Sequence, residues 1–207
     1  QIEVLKGASS ALYGSSALNG VINIRTGYPG EKPETSVLAY SGIYGNPQRE
    51  EIIWWDKQPY YGGVRVSHSR RIGNFDLVGG ANVHTDKGYR ENENEKFIRM
   101  NLNTRYRSRK VKGLSAGINA NAMVNEGGNF LLWLDGDSGV YRASPDFDQR
   151  FRNTRFNLDP HFVWIRDNNS RHSLKGRYYK VTYDGDSLRN YDNSYFGEYQ
   201  YLKRWAG

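Results

Sequence analysis

The feature that most constrains the fold is a two-residue periodicity that recurs from residue 35 to the end of the chain. Apolar and polar side chains alternate over segments of about ten residues, and turn-forming residues separate these segments. Segment 98–106 illustrates the pattern: its apolar set is Ile98, Met100, Leu102 and Tyr106, and its polar set is Arg99, Asn101, Asn103 and Arg105. Successive side chains of a β-strand point to opposite faces, so the pattern predicts strands with one apolar and one polar face.

The connections between these segments differ in length. Three are short and rich in Gly, Asn and charged residues: 71–76, 108–113 and 166–171. Longer irregular stretches separate the other segments: Gly45–Pro59, Gly88–Glu95, Gly127–Asn153 and Gly185–Asp192. We therefore predict eight strands between Thr35 and Arg204, in an antiparallel meander with short turns at one end and long loops at the other. Outer-membrane β-barrels have this asymmetry.

The composition is unusual for a water-soluble domain. Aromatic residues make up 14% of the chain, with sixteen Tyr, while only 37% of its residues are hydrophobic. Mean hydropathy is −0.80, and the chain lacks an apolar run of about 18 residues, the length that a membrane-spanning helix needs. Aromatic residues fall near the ends of predicted strands, where a membrane barrel has its interfacial girdles: Tyr60, Tyr61, Tyr106, Trp164, Tyr178, Tyr179, Tyr183 and Trp205.

Several function classes are disfavoured by what the sequence lacks. It has no Cys, which excludes a disulfide scaffold and a thiolate metal site. Its formal net charge is +7, but the basic residues are scattered among acidic ones, so we predict no nucleic-acid partner. No catalytic Ser/His/Asp spacing, zinc-protease motif or phosphate-binding loop occurs, so we predict neither an enzyme nor a cofactor.

Two segments depart from the regular alternation. In the strand beginning near His172, Leu174 and Tyr178 lie on one face while Tyr179 and Val181 lie on the other, and we expect a β-bulge there. Pro160 falls inside another predicted strand. Because proline has no N–H group to donate to a neighbouring strand, we expect a bulge or a sheet edge at this position.

The alternation alone is compatible with more than one β architecture. A β-sandwich that binds a ligand in aqueous solution also has strands with one apolar and one polar face. A closed eight-stranded barrel with a structural or adhesive role is a further alternative for a chain of this length. We favour a membrane barrel because the short turns and the long loops alternate along the chain.

The first 27 residues have a different character. An uncharged run of small residues, Gly7–Gly20, lies between two short apolar segments. The elements "IEVLKG", "ALYG" and "GVINIRT" occur there in that order. They resemble the C-terminal end of the plug domain of TonB-dependent outer-membrane transporters. The matching positions are Glu3, Gly7, Tyr13, Gly14, Gly20, Val21, Ile22, Asn23 and Ile24, whereas Ala8 and Asn19 stand where the family often has Pro and Gly.

The resemblance implies a fold and a function. It implies an all-β chain in which residues 1–27 end a plug domain and residues 28–207 form about eight strands of a 22-stranded transmembrane barrel. The chain would then be a fragment of a receptor in the bacterial outer membrane. Such a receptor imports a scarce small molecule, most often an iron–siderophore complex. Its partners would be outer-membrane lipid and the TonB energy-coupling complex, which would bind a segment outside these residues.

The resemblance also suggests roles for single residues. By analogy with the family, Glu3 and Lys6 would face charges on the barrel wall and help to hold the plug; a solvated local pair is the alternative. Glycines at positions 7, 14 and 20 would allow close packing of the plug against the wall, and Tyr13 and Asn23 complete the motif.

The predicted long loops contain candidate ligand contacts. Trp54 and Trp55 lie in the first loop, and Phe130 and Trp133 lie in the third. Large apolar side chains are uncommon in exposed loops that have no binding or packing role. They could contact a ligand, or they could pack against neighbouring loops or lipid. The sequence "DGDS" occurs twice, and its carboxylates Asp135, Asp137, Asp184 and Asp186 are weak candidates for calcium, although the same sequence suits a β-turn.

Overall fold

The computed structural model describes residues 2–6, 20–24, 27–167, 169–186 and 188–205. Within these residues the chain forms ten β-strands and two short 3-10 helices, Glu50–Ile52 and Pro145–Phe147. The strands are β1 (Ile2–Lys6), β2 (Gly20–Ile24), β3 (Glu34–Ile43), β4 (Tyr60–Ile72), β5 (Phe75–Asp86), β6 (Glu95–Arg107), β7 (Leu114–Phe130), β8 (Asp148–Ile165), β9 (Ser170–Gly185) and β10 (Arg189–Lys203). In the part of the chain described, no helix is both long and apolar enough to span a membrane.

The strands form two separate antiparallel sheets. β1 pairs with β2 in a two-stranded sheet. β3 to β10 form an eight-stranded sheet in which every strand lies beside its neighbours in the sequence. This arrangement confirms the predicted all-β meander and its eight strands. The two edges of the described sheet are β3 and β10.

The pairing register of the eight-stranded sheet is constant along each pair of strands. The β9–β10 pairing runs without a shift from Arg189 opposite Asp184 to Lys203 opposite Ser170. The β8–β9 pairing likewise keeps one register from Phe151 opposite Gly185 to Ile165 opposite Arg171. β9 therefore has no bulge, and the prediction of one is wrong. β9 is a regular strand that carries aromatic residues on both of its faces.

Pro160 lies within β8 and is neither at a bulge nor at a sheet edge, so this expectation is also wrong. It pairs with Ile118 of β7, and the register toward β9 is the same before and after it. A Cβ atom on Gly176 of β9 would lie 3.2 Å from the proline ring. A glycine at this position leaves the room that the ring needs, so the strand continues although one N–H donor is missing.

The two ends of the large sheet differ as predicted, except at connection 186–188, which is a turn of three residues. We call the end with the short connections 73–74, 108–113 and 166–169 the lower rim, and the end with the connections 44–59, 87–94, 131–147 and 186–188 the upper rim. The predicted loops Gly127–Asn153 and Gly185–Asp192 are both too long. Phe130 pairs with Asp148, and Arg189 pairs with Asp184, so strand pairing extends well into both stretches.

The two faces of the large sheet have opposite character, as predicted. Residues directly opposite each other on paired strands point to the same face. One row across the apolar face consists of Val37, Val66, Ala81, Met100, Ala122 and Phe156. The adjacent row on the polar face consists of Ser36, Ser67, Gly80, Asn101, Asn121 and Asn157.

The apolar face is not covered by any other described part of the chain. Among the described residues, the only buried hydrophobic side chains are Ile52 and Ala143, both in the connections at the upper rim. Side chains on the apolar face are instead widely exposed: Val37 by 66% and Met100 by 52%. Ordinary soluble domains bury such a face against a second layer of structure.

The aromatic residues expected in girdles divide between the two faces. Tyr60, Tyr106 and Trp164 lie on the apolar face at strand ends, as a girdle requires. Tyr178 lies on the same face but in the middle of β9, so its predicted position near a strand end is wrong. Tyr61, Tyr179 and Tyr183 point to the polar face, so the girdle prediction is wrong for them. Side chains an odd number of residues apart on one strand lie on opposite faces, so neighbouring tyrosines cannot all belong to the apolar face.

Candidate functional site

Three loops at the upper rim pack against one another. They are loop 44–59 between β3 and β4, loop 87–94 between β5 and β6, and loop 131–147 between β7 and β8. All three leave the same end of the sheet because the strands are antiparallel and joined in order. We call their packed side chains the loop cluster. It is the candidate site for binding a molecule that approaches from the upper rim.

Aromatic rings form the centre of the loop cluster. Tyr89 contacts three other rings, with centroid distances of 5.6 Å to Tyr44, 5.6 Å to Trp55 and 4.9 Å to Tyr141. Trp54 meets Trp55 edge to face at 5.8 Å. Ring pairs at these separations are favourable beyond the area that they bury. The three loops are therefore joined through one aromatic residue, Tyr89.

Hydrogen bonds add to these ring contacts. The Trp54 Nε1–H donates to the Tyr89 carbonyl oxygen over 2.9 Å, which links the first loop to the second. The Glu91 N–H donates to the Tyr141 carbonyl oxygen over 2.8 Å, and the Ala143 N–H donates to the Glu91 carboxylate over 3.0 Å. These bonds link the second loop to the third. The loop cluster is consequently an ordered cap and not a set of independent loops.

The predicted ligand-contact residues take different positions in this cap. Trp54 and Trp55 are half-buried within the loop cluster, so the structure places them in loop-to-loop packing. Phe130 is the last residue of β7, and the Arg90 guanidinium lies 4.6 Å from its ring centroid. Trp133 is 54% exposed, in an apolar segment whose neighbours Leu131 and Leu134 are 56% and 49% exposed. Segment 131–134 therefore places apolar side chains on the surface of the cap.

Below the loop cluster lies a cavity of about 400 Å³ with a polar lining. Its wall includes the carboxylates of Asp86, Glu93 and Glu95 and the phenols of Tyr44 and Tyr89. The Tyr44 hydroxyl donates to Asp86 Oδ2 over 2.8 Å. Burial and this bond to a carboxylate raise the pKa of Tyr44 from its ordinary value of 10.0 to about 12. The cavity thus offers hydrogen-bond donors and acceptors to a polar ligand.

A second polar site lies at the lower rim and was missed by the sequence analysis. The Asp76 side chain is 1% exposed and forms ion pairs with Arg71, Arg105 and Arg107. Arg71 donates from Nε over 2.9 Å and Arg105 from Nη2 over 2.6 Å, and Arg107 donates to both carboxylate oxygens. We call these four residues the arginine cluster. Their positions on one face follow from the alternation, but their convergence depends on the register of β4, β5 and β6.

The arginine cluster also holds the segment that precedes β3. Arg71 Nη2 donates to the carbonyl oxygen of Pro29 over 2.8 Å. The Arg105 guanidinium stacks on the Tyr28 ring, 3.4 Å from its centroid. Pro29 is buried, although it belongs to no strand. Three guanidinium groups around one carboxylate thus fix residues 28–29 at the lower rim.

The candidate calcium carboxylates take part in local contacts. Asp135 Oδ1 accepts the N–H groups of Asp137 and Gly139, a turn arrangement, and these bonds lower the pKa of Asp135. Asp186 accepts the N–H of Arg150 over 2.6 Å, and Asp184 lies 4.0 Å from Arg189. Within the described ranges, no group of three or more His, Cys, Asp or Glu side chains could hold a metal ion.

The plug-motif residues are only partly within the described residues. Gly7, Tyr13 and Gly14 lie outside them. The remaining four lie on β1 and β2, whose register pairs Glu3 with Asn23 and Lys6 with Gly20. The predicted roles of Glu3 and Lys6 in holding a plug stay predictions.

Comparison with known proteins adds no assignment. No protein-family model matches this chain, and no solved structure matches it.

Proposed function

We propose that the chain is part of an outer-membrane transporter of the TonB-dependent class, which imports a scarce small molecule such as an iron–siderophore complex. Residues 1–27 would end its plug domain, and residues 28–207 would form the first strands of a barrel of about 22 strands. One observation carries the proposal: the uncovered apolar face of the large sheet, which has the dimensions of a membrane-spanning band. The plug-like motif in residues 1–27 supports it independently.

The height of the apolar face matches the hydrocarbon band of an outer-membrane barrel. On β7 the apolar positions run from Leu114 to Val124, ten residues apart, and on β6 from Tyr106 to Ile98, eight residues apart. At about 3.3 Å per residue these runs are about 33 Å and 26 Å long. For strands tilted by about 29° they rise about 29 Å and 23 Å, close to the ~25 Å band of such barrels.

The tilt follows from the pairing register. Val66 lies six residues above Ile72, the lower end of β4, and the same row reaches Lys180, ten residues above Ser170 at the lower end of β9. The row therefore rises by four residues over the five intervals from β4 to β9, the strands that are joined by the short lower turns. With about 3.3 Å per residue and about 4.8 Å between strands, this slope is a tilt of about 29°. This value is close to the strand tilts of about 35–45° in transmembrane barrels.

A row of charges marks the upper limit of the apolar face. It alternates in sign across five strands: Lys96, Glu126, Arg152, Asp184 and Arg189. Arg152 Nε lies 3.3 Å from Glu126 Oε1. The residues one step lower on the same face are apolar on β6 and β7, where Ile98 faces Val124. An abrupt change from apolar to charged residues is what a membrane–water boundary requires.

The tilt also explains one charge on the apolar face. Lys180 of β9 lies in the same register row as Val37 and Met100, which belong to the apolar band. Measured from the lower ends of the strands, however, Lys180 is ten residues up, as is Val124 at the top of the band on β7. A tilted sheet therefore places Lys180 at the upper boundary, where its ammonium group can reach water.

The alternatives have clear structural requirements. A closed eight-stranded barrel needs hydrogen bonds between β3 and β10, which are the two edges of the described sheet. A β-sandwich needs a second layer over the apolar face, and the described residues supply none. A larger barrel has neither requirement, since further strands pair with the two edges and lipid covers the apolar face.

In this proposal each part of the chain has a task. The loop cluster and the cavity beneath it receive the small molecule on the outer side. The polar face lines the lumen, as in barrels that enclose water or a plug. The TonB complex, acting through a segment outside these residues, moves the plug. An uncharged, small-residue stretch at the end of the plug avoids buried ion pairs, which cost several kcal/mol to break.

Membrane insertion is tested with single cysteines, because the native chain has none. Met100→Cys and Asn101→Cys are neighbours on opposite faces of β6. Each is labelled with an environment-sensitive fluorophore, and the protein is placed in vesicles that contain brominated lipid. We expect strong quenching at position 100 and weak quenching at position 101. Equal, weak quenching at both positions would reject a lipid-facing sheet and support a sandwich.

Two further measurements address size and transport. An antibody against Gly127–Asn153 should detect, in purified outer membranes, a protein several times larger than the 23.8 kDa of this chain. A band near that mass would instead support a small closed barrel.

Replacing Gly14 and Gly20 with Trp should abolish energy-dependent uptake while leaving the protein in the membrane. Unchanged uptake would contradict a closely packed plug.

A further inference from the structure

A cluster of rings lies at the lower corner of the apolar face, where β8, β9 and β10 end. Trp164, His172 and Tyr201 are paired across the three strands and share this face. The His172 ring lies 5.8 Å from Trp164 and 5.0 Å from Tyr201. His172 Nδ1 and the Tyr199 hydroxyl share a hydrogen bond of 2.8 Å. We call these four residues, with Arg166 and Lys203, the lower corner.

Two cations lie at this corner, each beside an aromatic ring. The Arg166 guanidinium lies over the Trp164 ring at 5.0 Å from its centroid, and Lys203 Nζ lies 5.4 Å from the Trp205 ring. The Arg166 N–H donates to the Ser170 carbonyl oxygen over 2.9 Å, which fixes the backbone at the start of the turn. In the ranges that the structure describes, Arg166 has no carboxylate within ion-pair distance, and the carboxylate of its neighbour Asp167 pairs with Lys112.

The charge of the whole rim favours an anionic partner. The lower-rim segments 27–34, 70–76, 105–114, 164–171 and 201–205 contain twelve Lys or Arg and four Asp or Glu. The upper-rim segments 44–61, 86–95, 126–153 and 183–190 contain eight Lys or Arg and fourteen Asp or Glu. The net charge of +7 thus conceals a lower rim of +8 and an upper rim of −6. Anions are attracted to the lower rim and repelled from the upper rim.

We propose that the lower corner binds the phosphate headgroup of an anionic phospholipid. This inference rests on the proposed function, which places the apolar face in a membrane with the short turns on the phospholipid side. A guanidinium that is stacked on an indole ring still presents N–H groups at its edge, and these match a phosphate. The Tyr and His groups add hydrogen-bond partners at the interface.

The acyl chains of the same lipid have a surface next to this site. Phe162 of β8 pairs directly with Leu174 of β9, one step above Trp164 on the apolar face. Their side chains are 37% and 52% exposed. A phospholipid in a leaflet has acyl chains, then an interfacial region, then a charged headgroup. The protein surface matches this order, with apolar side chains above, rings at the boundary and cations below. A free phosphate ion would match only the cations.

The test measures which lipid the protein retains. The protein is reconstituted in phosphatidylcholine vesicles with and without phosphatidylglycerol, extracted with mild detergent, and analysed by native mass spectrometry. We expect phosphatidylglycerol to be enriched over its share of the vesicles. Arg166→Gln and Lys203→Gln should each reduce the enrichment about fivefold, since one cation near the surface contributes about that factor. Arg166→Lys should retain part of it.

A matched control separates a site from general attraction. Lys110→Gln removes the same charge from the exposed turn 108–113 at the same rim, away from the rings, and should leave the enrichment unchanged. An equal loss in Lys110→Gln, or competition by free glycerol phosphate as strong as by the lipid, would overturn the proposal. No enrichment in a protein whose Met100→Cys label is quenched by lipid would overturn this inference alone. Absence of quenching would reject the proposed function and this inference with it.

Discussion

Replacing Asp76 with Asn should destabilise the protein far more than removal of an ordinary surface carboxylate. The Asp76 side chain is 1% exposed, and the guanidinium-bearing side chains of Arg71, Arg105 and Arg107 are 36%, 25% and 33% exposed. Loss of one partner from a buried ion pair costs about 3–5 kcal/mol, because an uncompensated charge is left behind. The arginines keep part of their surface in water and can reorient. We therefore expect a loss near the lower end, about 3 kcal/mol.

The assay is urea unfolding of the detergent-solubilised protein, followed by tryptophan fluorescence. Asp167→Asn is the matched control, because Asp167 pairs with Lys112 over 3.0 Å and both side chains are at least 80% exposed. It should cost less than about 1 kcal/mol. Adding Arg107→Gln to Asp76→Asn should recover part of the lost stability by removing one of three facing cations. Equal effects of Asp76→Asn and Asp167→Asn would refute the reasoning.

Two other predictions concern packing and ionisation. A Cβ at Gly63 would lie 2.6 Å from the Tyr40 hydroxyl and 2.6 Å from the Val83 carbonyl oxygen, so Gly63→Ala should cost about 1–3 kcal/mol in the same unfolding assay. Gly197→Ala, with nothing within 4 Å, should cost almost nothing, and equal losses would contradict the packing argument. The pKa of Tyr44 is raised from 10.0 to about 12, so its contribution to stability is complete below pH 10 and is lost as the pH rises through about 12. The difference between the tyrosinate absorbance titrations of the native protein and Tyr44→Phe should have its midpoint near pH 12; a midpoint near 10 would contradict this.

The places where the sequence analysis went wrong have physical causes. Gly127 and Gly128 have the composition of a loop, but they continue β7. A Cβ at Gly128 would lie 1.9 Å from the Asn92 carbonyl oxygen, so this glycine allows close approach between two segments and does not mark a turn. The aromatic residues on both faces of β9 have the pattern of a bulge. In the structure the register does not shift: Tyr178 stays on the apolar face, whereas Tyr183 stacks on Phe151 of the neighbouring strand at 6.4 Å on the polar face. A contact between two strands of this kind cannot be read from one strand alone.

The sequence by itself determined the strands, their two faces and the difference between the rims, because side-chain alternation and turn formation are local properties of the chain. Only the tertiary structure decided which residues converge. Asp76 meets its three arginines through the register of neighbouring strands, and Tyr89 joins loops that begin more than 40 residues apart. Likewise, a charge of +7 becomes two rims of opposite sign only when the meander folds. Register, tilt and loop contacts depend on pairs of residues distant in sequence, and a local pattern carries no information about them.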